Sequence, residues 1–393
     1  MKENFLLLKK YCEKEKFKGW DPYDGLNSRF FQSLPIKNYD IARLIWIQLF
    51  KRNPINLRKL FLIDKEYNAK GISLLLRGYC NLFKINQNSF FGKSEDIYKK
   101  IILLADILIK NESKGYSGSC WGYNFDWQAR RLFFFPKGTP NVVVTSFCVD
   151  SLINAYNITK NEKYLVKAIS AGDFVIKDLI RTNNSNGLFL SYSPIEGNNT
   201  VYNASLLGAK LLSQIYVYTN DSIYLDLSKE VVSTACKNQN LDGSWYYGLL
   251  PIQNWIDSFH TGYNLVCINS YQKNCNDNSF RSNLDEGFKY YIDNFFDLDG
   301  FPKYYHNRKY PVDIHCPAQL FVTLSKLNKF STNKLLAEKV LKWTLLNMQD
   351  EKGYFYYQKN KFYNNKNSYM RWNNAFMFDA LSYYYKNDCQ YKE

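Results

Sequence analysis

Four segments of this chain share one plan at a nearly constant spacing, and that period constrains the fold more than any other feature. Each segment opens with a glycine and aromatic residues, passes through a polar turn and ends in a run with helical periodicity. The leading glycines are Gly187, Gly243, Gly300 and Gly353, which gives steps of 56, 57 and 53 residues. Such a period indicates that one structural unit is repeated along the chain.

Each period has room for two helices. Runs such as "EKYLVKAISAGDFVIKDLI" place apolar residues three and four positions apart before the glycine, and a second run follows the turn. A fifth copy begins at Cys120 with a longer loop. No linker rich in Pro, Gly or Ser divides the chain, so we expect one domain over residues 1–393, with N-terminal helices in 1–110 and five repeats in 111–393.

Helical hairpins of this length stack into an open solenoid or close into a ring. We predict an all-α fold, an α/α toroid of about six hairpins with short strands or turns at one rim. In such a ring the Gly-aromatic turns and the starts of the helices that follow them gather at one end. That end would surround a cavity.

The helix starts themselves form a second regular series, which we call the polar ladder. Its members are Thr145, Asn203, His260, His315 and Arg371, at steps of 58, 57, 55 and 56 residues. Each equivalent position carries a polar side chain. The ladder therefore predicts a ring of polar groups around the cavity.

The third rung has the strongest catalytic pattern. Asp257 precedes His260 by three residues and Tyr263 follows it by three, so a helix would place all three on one face. A carboxylate beside a histidine orients the ring and raises its basicity, and a tyrosine can exchange a proton. The alternative is structural, with Asp257 capping a helix, His260 making one hydrogen bond and Tyr263 packing.

The last two rungs supply further catalytic candidates. Asp313 precedes His315 by two residues and can act in catalysis or as a helix N-cap. Arg371 can hold a carboxylate or phosphate with two hydrogen bonds, or lie on the surface. Aromatic and polar residues of the turns and helix starts suit sugar rings, although each can equally be packing. The substrate-binding candidates are Trp121, Tyr123, Asp126, Arg130, Tyr192, Asn203, Trp245, Tyr304 and Trp372.

The net charge of +15 favours an anionic partner. An acidic saccharide, a diphosphate-linked sugar and peripheral contact with an anionic membrane all fit, whereas the absence of a compact basic run or motif argues against nucleic acid. Nine irregularly spaced cysteines indicate reduced thiols and a cytoplasmic protein. No uninterrupted apolar run reaches the roughly 18 residues of a membrane span. Because nucleotide-loop and metal-site motifs are also missing, we expect no cofactor and no metal.

The sequence resembles the six-hairpin α/α-toroid superfamily over roughly residues 50–385. The stretches "CWGYNFDWQ", "DGSWYYG", "WIDSFHTGYNL" and "MRWNNAF" are most similar to a scarcely characterised bacterial family associated with polysaccharide biosynthesis. Other superfamily members are unsaturated glucuronyl hydrolases, N-acylglucosamine 2-epimerases and the helical domains of uronate lyases. The resemblance implies a carbohydrate-active protein.

A second, more distant resemblance is to the terpenoid cyclases and protein prenyltransferases. "HTGYNLVC" is similar to their His-Gly-Gly-Tyr helix start, and Asp313 and Cys316 in "DIHC" fall where that family places two zinc ligands. The position of the third ligand is Arg371, a permanent cation that cannot bind a metal. The acidic D-x-D-D signature of the cyclases is also missing.

We therefore expect a lyase or epimerase that acts on an acidic saccharide or lipid-linked precursor in bacterial surface-polysaccharide metabolism. Three alternatives stay open: a glycoside hydrolase, a prenyl-diphosphate enzyme and a non-catalytic saccharide-binding scaffold. Hydrolysis usually requires two carboxylates about 5–10 Å apart. The available carboxylates are Asp126, Asp150, Glu196, Asp242, Asp257 and Asp313.

Overall fold

The computed structural model describes residues 1–85, 90–129, 133–197 and 199–390 and is 60% helical. The helices are α1 (Lys2–Lys14), α2 (Arg29–Ser33), α3 (Asp40–Arg52), α4 (Ala69–Ile85), α5 (Ser94–Lys110), α6 (Val142–Thr159), α7 (Glu162–Asp173), α8 (Tyr202–Thr219), α9 (Ser222–Lys237), α10 (Ser258–Cys275), α11 (Arg281–Phe295), α12 (His315–Lys326), α13 (Lys334–Met348) and α14 (Phe376–Gln390). The short strands are β1 (Trp127–Gln128), β2 (Phe134–Phe135), β3 (Arg181–Asn184), β4 (Gly187–Leu190), β5 (Val312–Asp313), β6 (Gln358–Lys359) and β7 (Asn364–Asn365).

Six helices form a closed inner ring. Helices α4, α6, α8, α10, α12 and α14 pack each against the next, and α14 packs back against α4. Each of the first five is followed by an outer helix, namely α5, α7, α9, α11 or α13, and α1 packs against α14 as the sixth. The predicted all-α toroid of about six hairpins with short strands at one rim is confirmed.

The repeat glycines mark where each turn packs against an outer helix. Gly187, Gly243, Gly300 and Gly353 all have positive φ, between 87° and 114°, which favours glycine. A Cβ atom on Gly243 would lie 2.6 Å from the carbonyl oxygen of Glu286 in α11. A Cβ on Gly353 would meet the backbone of Leu7 in α1 in the same way. The N-terminal helix therefore takes the outer position that completes the ring.

The segment between α1 and α4 packs over the rim instead of joining the ring. Its helix α3 contacts β1, and Leu26, Phe31 and Ile47 form a small separate core with Trp127 and Phe134 of the rim strands packed against it. This segment brings its own side chains to the end of the ring where the inner helices begin.

Helix α6 is the one described helix that is long and apolar enough to span a membrane, although Asp150 interrupts its apolar run. In the ring, 72% of it is buried between its neighbours. Its apolar composition is accounted for by packing on all sides within the toroid.

Candidate active site

A cavity of about 250 Å³ opens where the inner helices begin. Its walls are mostly aromatic, and none of the described residues that line it is an aspartate or a glutamate. The lining residues are Tyr23, Lys70, Tyr123, Phe125, Trp127, Val143, Tyr192, Asn203, Tyr247, Trp255, Phe259, His260, Tyr263, Tyr304, Tyr305, His315, Arg371 and Trp372. The N-terminal ends of the inner helices face this space, so their dipoles favour negative charge in it.

Four of the five rungs of the polar ladder meet in this cavity: Asn203, His260, His315 and Arg371. The exception is Thr145, which is fully buried and accepts a hydrogen bond of 3.1 Å from the backbone of Trp121. Val143, one half-turn earlier in α6, lines the cavity at that position. The ladder is therefore wrong by two residues at its first rung.

His260 is held by a carboxylate just outside the cavity wall. Asp257 begins α10 as its N-cap, and one of its oxygens accepts a 3.0 Å hydrogen bond from the backbone N–H of His260. Its other oxygen lies 2.7 Å from Nδ1 of the same histidine and also accepts from the Trp255 indole at 3.2 Å. Because Asp257 takes Nδ1, Nε2 is the ring nitrogen left for a bound ligand. Asp257 thus combines the capping and orienting roles.

His315 lies deeper and lacks such a partner. Its ring stacks on Trp372 with centroids 4.2 Å apart, and within the described chain neither ring nitrogen makes a hydrogen bond of normal geometry. Burial, and then the nearby Lys70 and Arg371 cations, lower the pKa of His315 well below its usual value. His315 is therefore a neutral ring with unused polar atoms at the cavity wall.

Lys70 is a cavity residue that the repeat pattern missed. It is the second residue of α4, it is only 4% exposed, and no described carboxylate pairs with it. Its ammonium nitrogen lies among the rings of Phe147, Tyr263 and Phe376, at 4.3, 5.4 and 5.1 Å from their centroids. Burial, and then the charges of Arg371 and Arg77, lower the pKa of Lys70 well below 10.5.

Arg371 was a candidate to hold a carboxylate or phosphate of the substrate, but a carboxylate of the chain already pairs with it. Asp21 accepts hydrogen bonds from its Nε and from its Nη2, the latter at 2.7 Å. Burial acts to lower the pKa of Arg371, but Asp21 outweighs burial and raises it further. Asp21 comes from the segment before α4, outside every repeat. Among the described lining residues, Lys70 is thus the basic side chain without a carboxylate partner, and Arg371 is half of an internal pair.

Several aromatic candidates do face the cavity. The hydroxyl oxygens of Tyr123 and Tyr192 lie 3.2 Å apart at the cavity wall, and Tyr304 and Trp372 also line it. The hydroxyl of Tyr263 is buried without a hydrogen-bond partner among the described residues, and burial raises its pKa well above 10. Tyr263 is therefore neutral and able to donate its proton.

Trp121, Trp245 and Asp126 were predicted to bind substrate, and the structure assigns them other positions. The two tryptophans are buried, and each indole donates a 2.8 Å hydrogen bond to a carbonyl near the end of an outer helix, at Leu108 and Ala235. They hold each Gly-aromatic turn against the end of the preceding outer helix. Asp126 accepts from the Lys137 backbone at 2.6 Å in a separate surface groove. Arg130 lies outside the described residues.

Asp313 was predicted to be catalytic, but its carboxylate is engaged within the fold. It accepts hydrogen bonds from the His315 backbone at 3.0 Å, from Gln358 at 2.9 Å and from the Trp372 indole at 3.0 Å. Burial raises its pKa to about 6 in spite of these donors. Asp313 positions the His315–Trp372 stack and does not line the cavity.

The other carboxylates that hydrolysis would need lie elsewhere. Asp150 is buried in an ionic network further down the ring, Asp242 holds its own turn through Ser244, and Glu196 is exposed. Among the described residues no group of three His, Cys, Asp or Glu side chains is arranged to hold a metal ion.

Sequence reasoning also missed much of the aromatic wall. Tyr23 comes from the segment before α4, and Phe259 and Tyr305 neighbour residues that were named. A helical period identifies the positions that face inward in a repeat, and Tyr23 belongs to no repeat. The pattern "GWDPYDG" contains both Tyr23 and Asp21, but nothing in it signals contact with residues near 371.

No protein-family model matches the sequence, and no curated protein sequence matches it significantly. Solved structures do match. A family 76 glycoside hydrolase (mannosidase) of Bacteroides thetaiotaomicron superposes with a TM-score of 0.61 at 10% identity, covering 99% of each chain. Cellobiose 2-epimerase from Bacillus thermoamylovorans gives 0.60 at 11% identity over 81% of this chain and 89% of that one. An unsaturated glucuronyl hydrolase specific for heparin gives 0.60 at 12% identity over 98% and 95%.

These likenesses establish the fold. At such identities they do not carry an activity across to this chain.

Proposed function

We propose that this protein is an enzyme that transfers a proton on an acidic saccharide, as an epimerase or a lyase. The observation that carries the proposal is the cavity at the start of the inner helices. It presents a histidine oriented by a carboxylate, a second unbonded histidine and an unpaired lysine, with no carboxylate among its described lining residues.

His260 is the proposed base. Asp257 holds Nδ1, which leaves the Nε2 lone pair to accept a proton from the sugar carbon beside a carboxyl group. As that C–H bond breaks, its electron pair moves onto the carboxyl oxygens. No described carboxylate neutralises Lys70, and the carboxylate of a bound substrate would favour its protonated form, so Lys70 is the residue placed to stabilise this charge.

The second half of the reaction decides its class. Return of a proton to the opposite face of the carbon gives an epimer, and Tyr263 and His315 are neutral groups with unused polar atoms at the wall that can donate it. In a lyase the electron pair instead returns to form a C=C bond as the C–O bond at the next carbon breaks, the leaving oxygen takes a proton from one of the same donors, and an unsaturated sugar results. Both outcomes share the same first step at His260.

The lining supports a saccharide as the substrate. Tyrosine and tryptophan rings offer flat faces with a polar edge, which suit the two faces of a sugar. The structural neighbours are named as a mannosidase, an epimerase and a glucuronyl hydrolase, and their names favour the same class. We retain a lipid-linked precursor, a role in surface-polysaccharide metabolism and a cytoplasmic location as parts of this proposal.

Hydrolysis by two carboxylates receives less support. Asp257 is bonded to His260 and Trp255, and Asp313 is bonded to Trp372 and Gln358, so neither presents a free oxygen to the cavity. A glycoside hydrolase usually keeps both carboxyl groups in contact with the scissile bond.

The test is proton exchange with solvent. The protein is incubated in deuterated buffer with neutral disaccharides, N-acetylhexosamines and uronate-containing oligosaccharides, and the products are followed by proton NMR. We expect deuterium at the carbon beside the carboxyl group of a uronate, or the vinyl proton of an unsaturated product. Release of reducing sugar without either signal, or binding of these sugars without any turnover, would contradict the proposal.

A further inference from the structure

One face of α3 is apolar and exposed. Ile41, Ile45 and Leu49 are spaced four residues apart, so they form a single stripe about 12 Å long, and they are 73%, 64% and 41% exposed. Leu44 and Gln48 border the stripe in a shallow groove. The opposite side of the helix is packed against the protein, because Ile47 and Phe50 are buried there.

The apolar surface extends beyond α3. Phe30, Ile36 and Tyr39 precede the helix and are exposed, and the Phe30 ring lies 6.2 Å from that of Trp46 in α3. Leu60 and Leu62 follow the helix and are exposed too. Isolated apolar residues on a surface are normal, whereas a helical stripe with further exposed apolar residues in the same segment indicates an interaction site.

The same stretch is strongly basic. Residues 29–62 contain seven Lys or Arg and one acidic residue, Asp40, which gives a net charge of +6. Arg58 is neutralised internally by Asp24, whereas Arg52 and Lys59 are exposed at the end of α3 and beyond it. An apolar stripe flanked by exposed cations is the composition of helices that lie in the interface of an anionic membrane.

The buried side of α3 reaches the wall of the cavity. Lys51 donates a 2.6 Å hydrogen bond to the hydroxyl of Tyr23, which lines the cavity, and the Trp46 indole donates to the carbonyl of Gly25 at 3.0 Å. Arg43 donates to Gln128 beside Trp127, another lining residue. The exposed stripe therefore belongs to the rim of the cavity and not to the outer wall of the ring.

We propose that the apolar face of α3 and its flanking cations form a docking surface for an anionic lipid membrane. A second copy of the chain is a poorer occupant, because a symmetric contact would bring the exposed cations Arg52 and Lys59 of two basic segments together. Docking would place the open end of the ring near the lipid surface. The proposal concerns binding alone and stands independently of the reaction assigned to the cavity.

The experiment measures co-flotation of the full chain with vesicles of phosphatidylcholine alone and of phosphatidylcholine containing phosphatidylglycerol. We expect binding to the anionic vesicles that weakens as salt is raised. The triple variant Ile41→Gln, Ile45→Gln and Leu49→Gln should bind about tenfold or more weakly, because it removes the apolar contact.

A matched control replaces three residues of similar exposure on outer helices, Val166→Gln, Leu335→Gln and Leu346→Gln, which are 62%, 67% and 74% exposed. This variant should bind like the wild type, and thermal melts should show both triple variants folded. Equal binding of the two triple variants, or no binding of the wild type to anionic vesicles, would overturn the proposal. So would a wild-type dimer in light scattering that only the α3 variant abolishes.

Discussion

Two levels of the same ring treat buried charge in opposite ways. Lys70 and Arg77 lie on one helix, α4, seven residues and so about 10 Å apart. Arg77 donates two hydrogen bonds to Asp379 and one of 2.5 Å to Asp150. Lys70 has no carboxylate partner in the described structure and lines an open cavity instead.

At the lower level the charged groups pair with one another. Lys210 lies 2.9 Å from Asp150, and Gln214 donates to the same carboxylate at 3.0 Å. Burial works to raise the pKa of Asp150, but Lys210, Lys326 and Arg77 outweigh it and hold that pKa well below its usual range. These pairs join neighbouring inner helices: Asp150 links α6 to α4 and α8, and Arg77 also links α4 to α14.

The contrast shows which buried polar groups serve the fold and which are left for a ligand. A buried charge without a partner lowers stability, so it persists where something outside the chain completes it. Among the described residues, Lys70, His315 and Tyr263 are groups at the open end whose side chains have no hydrogen-bond or carboxylate partner. Arg77 and Asp150 further down the ring pair with each other.

The largest effect is expected at the open end and on the reaction. His260→Gln should lower kcat/KM for solvent exchange by about 10²–10⁴-fold, because it removes a positioned base, while the melting temperature stays close to that of the wild type. The control is His306→Gln, a histidine that does not line the cavity and whose ring is hydrogen-bonded, within the described structure, to the Ile256 carbonyl at 3.4 Å. Equal losses in the two variants would remove His260 from the mechanism.

At the lower level the expected effect is on stability. Asp150→Asn should lower the free energy of unfolding by about 3–5 kcal/mol, since Arg77 and Lys210 would lose their shared carboxylate inside the ring. Asp285→Asn, which breaks an exposed pair with Arg281, should cost no more than about 1 kcal/mol. Urea unfolding measures both, and similar values for the two would mean that the network does not hold the ring together.

Asp313 is bonded within the fold but lies next to the open end of the ring. Its contribution to the free energy of unfolding should depend on pH. Its folded pKa of about 6 exceeds the usual 3.8, so the folded state favours the protonated acid. The stability this gives is present below about pH 4 and is lost as pH rises through 6. Asp313→Asn should therefore gain on the wild type by on the order of 1–3 kcal/mol between about pH 4 and pH 7. Urea unfolding across that range that shows a constant or opposite difference would contradict this.

The architecture could be predicted from the sequence because each repeat meets the same structural requirement. Each turn needs a glycine with positive φ where it meets an outer helix, so Gly187, Gly243, Gly300 and Gly353 recur at the period of the hairpin. The N-terminal helix completes the ring without such a turn before it. Its role as the sixth outer helix follows from closure, which no local pattern encodes.

The candidate site could be predicted from the sequence only in part. The period identified Asn203, His260, His315 and Arg371 as residues that face one space, because equivalent positions in a closed ring converge. It missed Lys70, whose helix follows a segment without the Gly-aromatic turn. It also could not show that Asp21, 350 residues earlier in the chain, neutralises Arg371.

Trp121 and Trp245 show a further limit of pattern reading. Both are conspicuous in the Gly-aromatic turns, and both are used to tie a turn to the end of the preceding outer helix through an indole hydrogen bond. Tryptophan serves packing and sugar binding with the same flat face, so composition alone does not separate the two.

The most direct test of the contrast compares two lysines that are equally buried, Lys70 and Lys210, each 4% exposed. Urea unfolding of Lys70→Met and Lys210→Met requires no knowledge of the substrate. We expect Lys210→Met to lose about 3 kcal/mol, because Asp150 loses a partner, and Lys70→Met to keep or exceed the wild-type stability, because an unpaired buried amine is removed. If Lys70→Met is destabilised as much as Lys210→Met, Lys70 serves the fold, and the division between a ligand-binding level and a structural level is wrong.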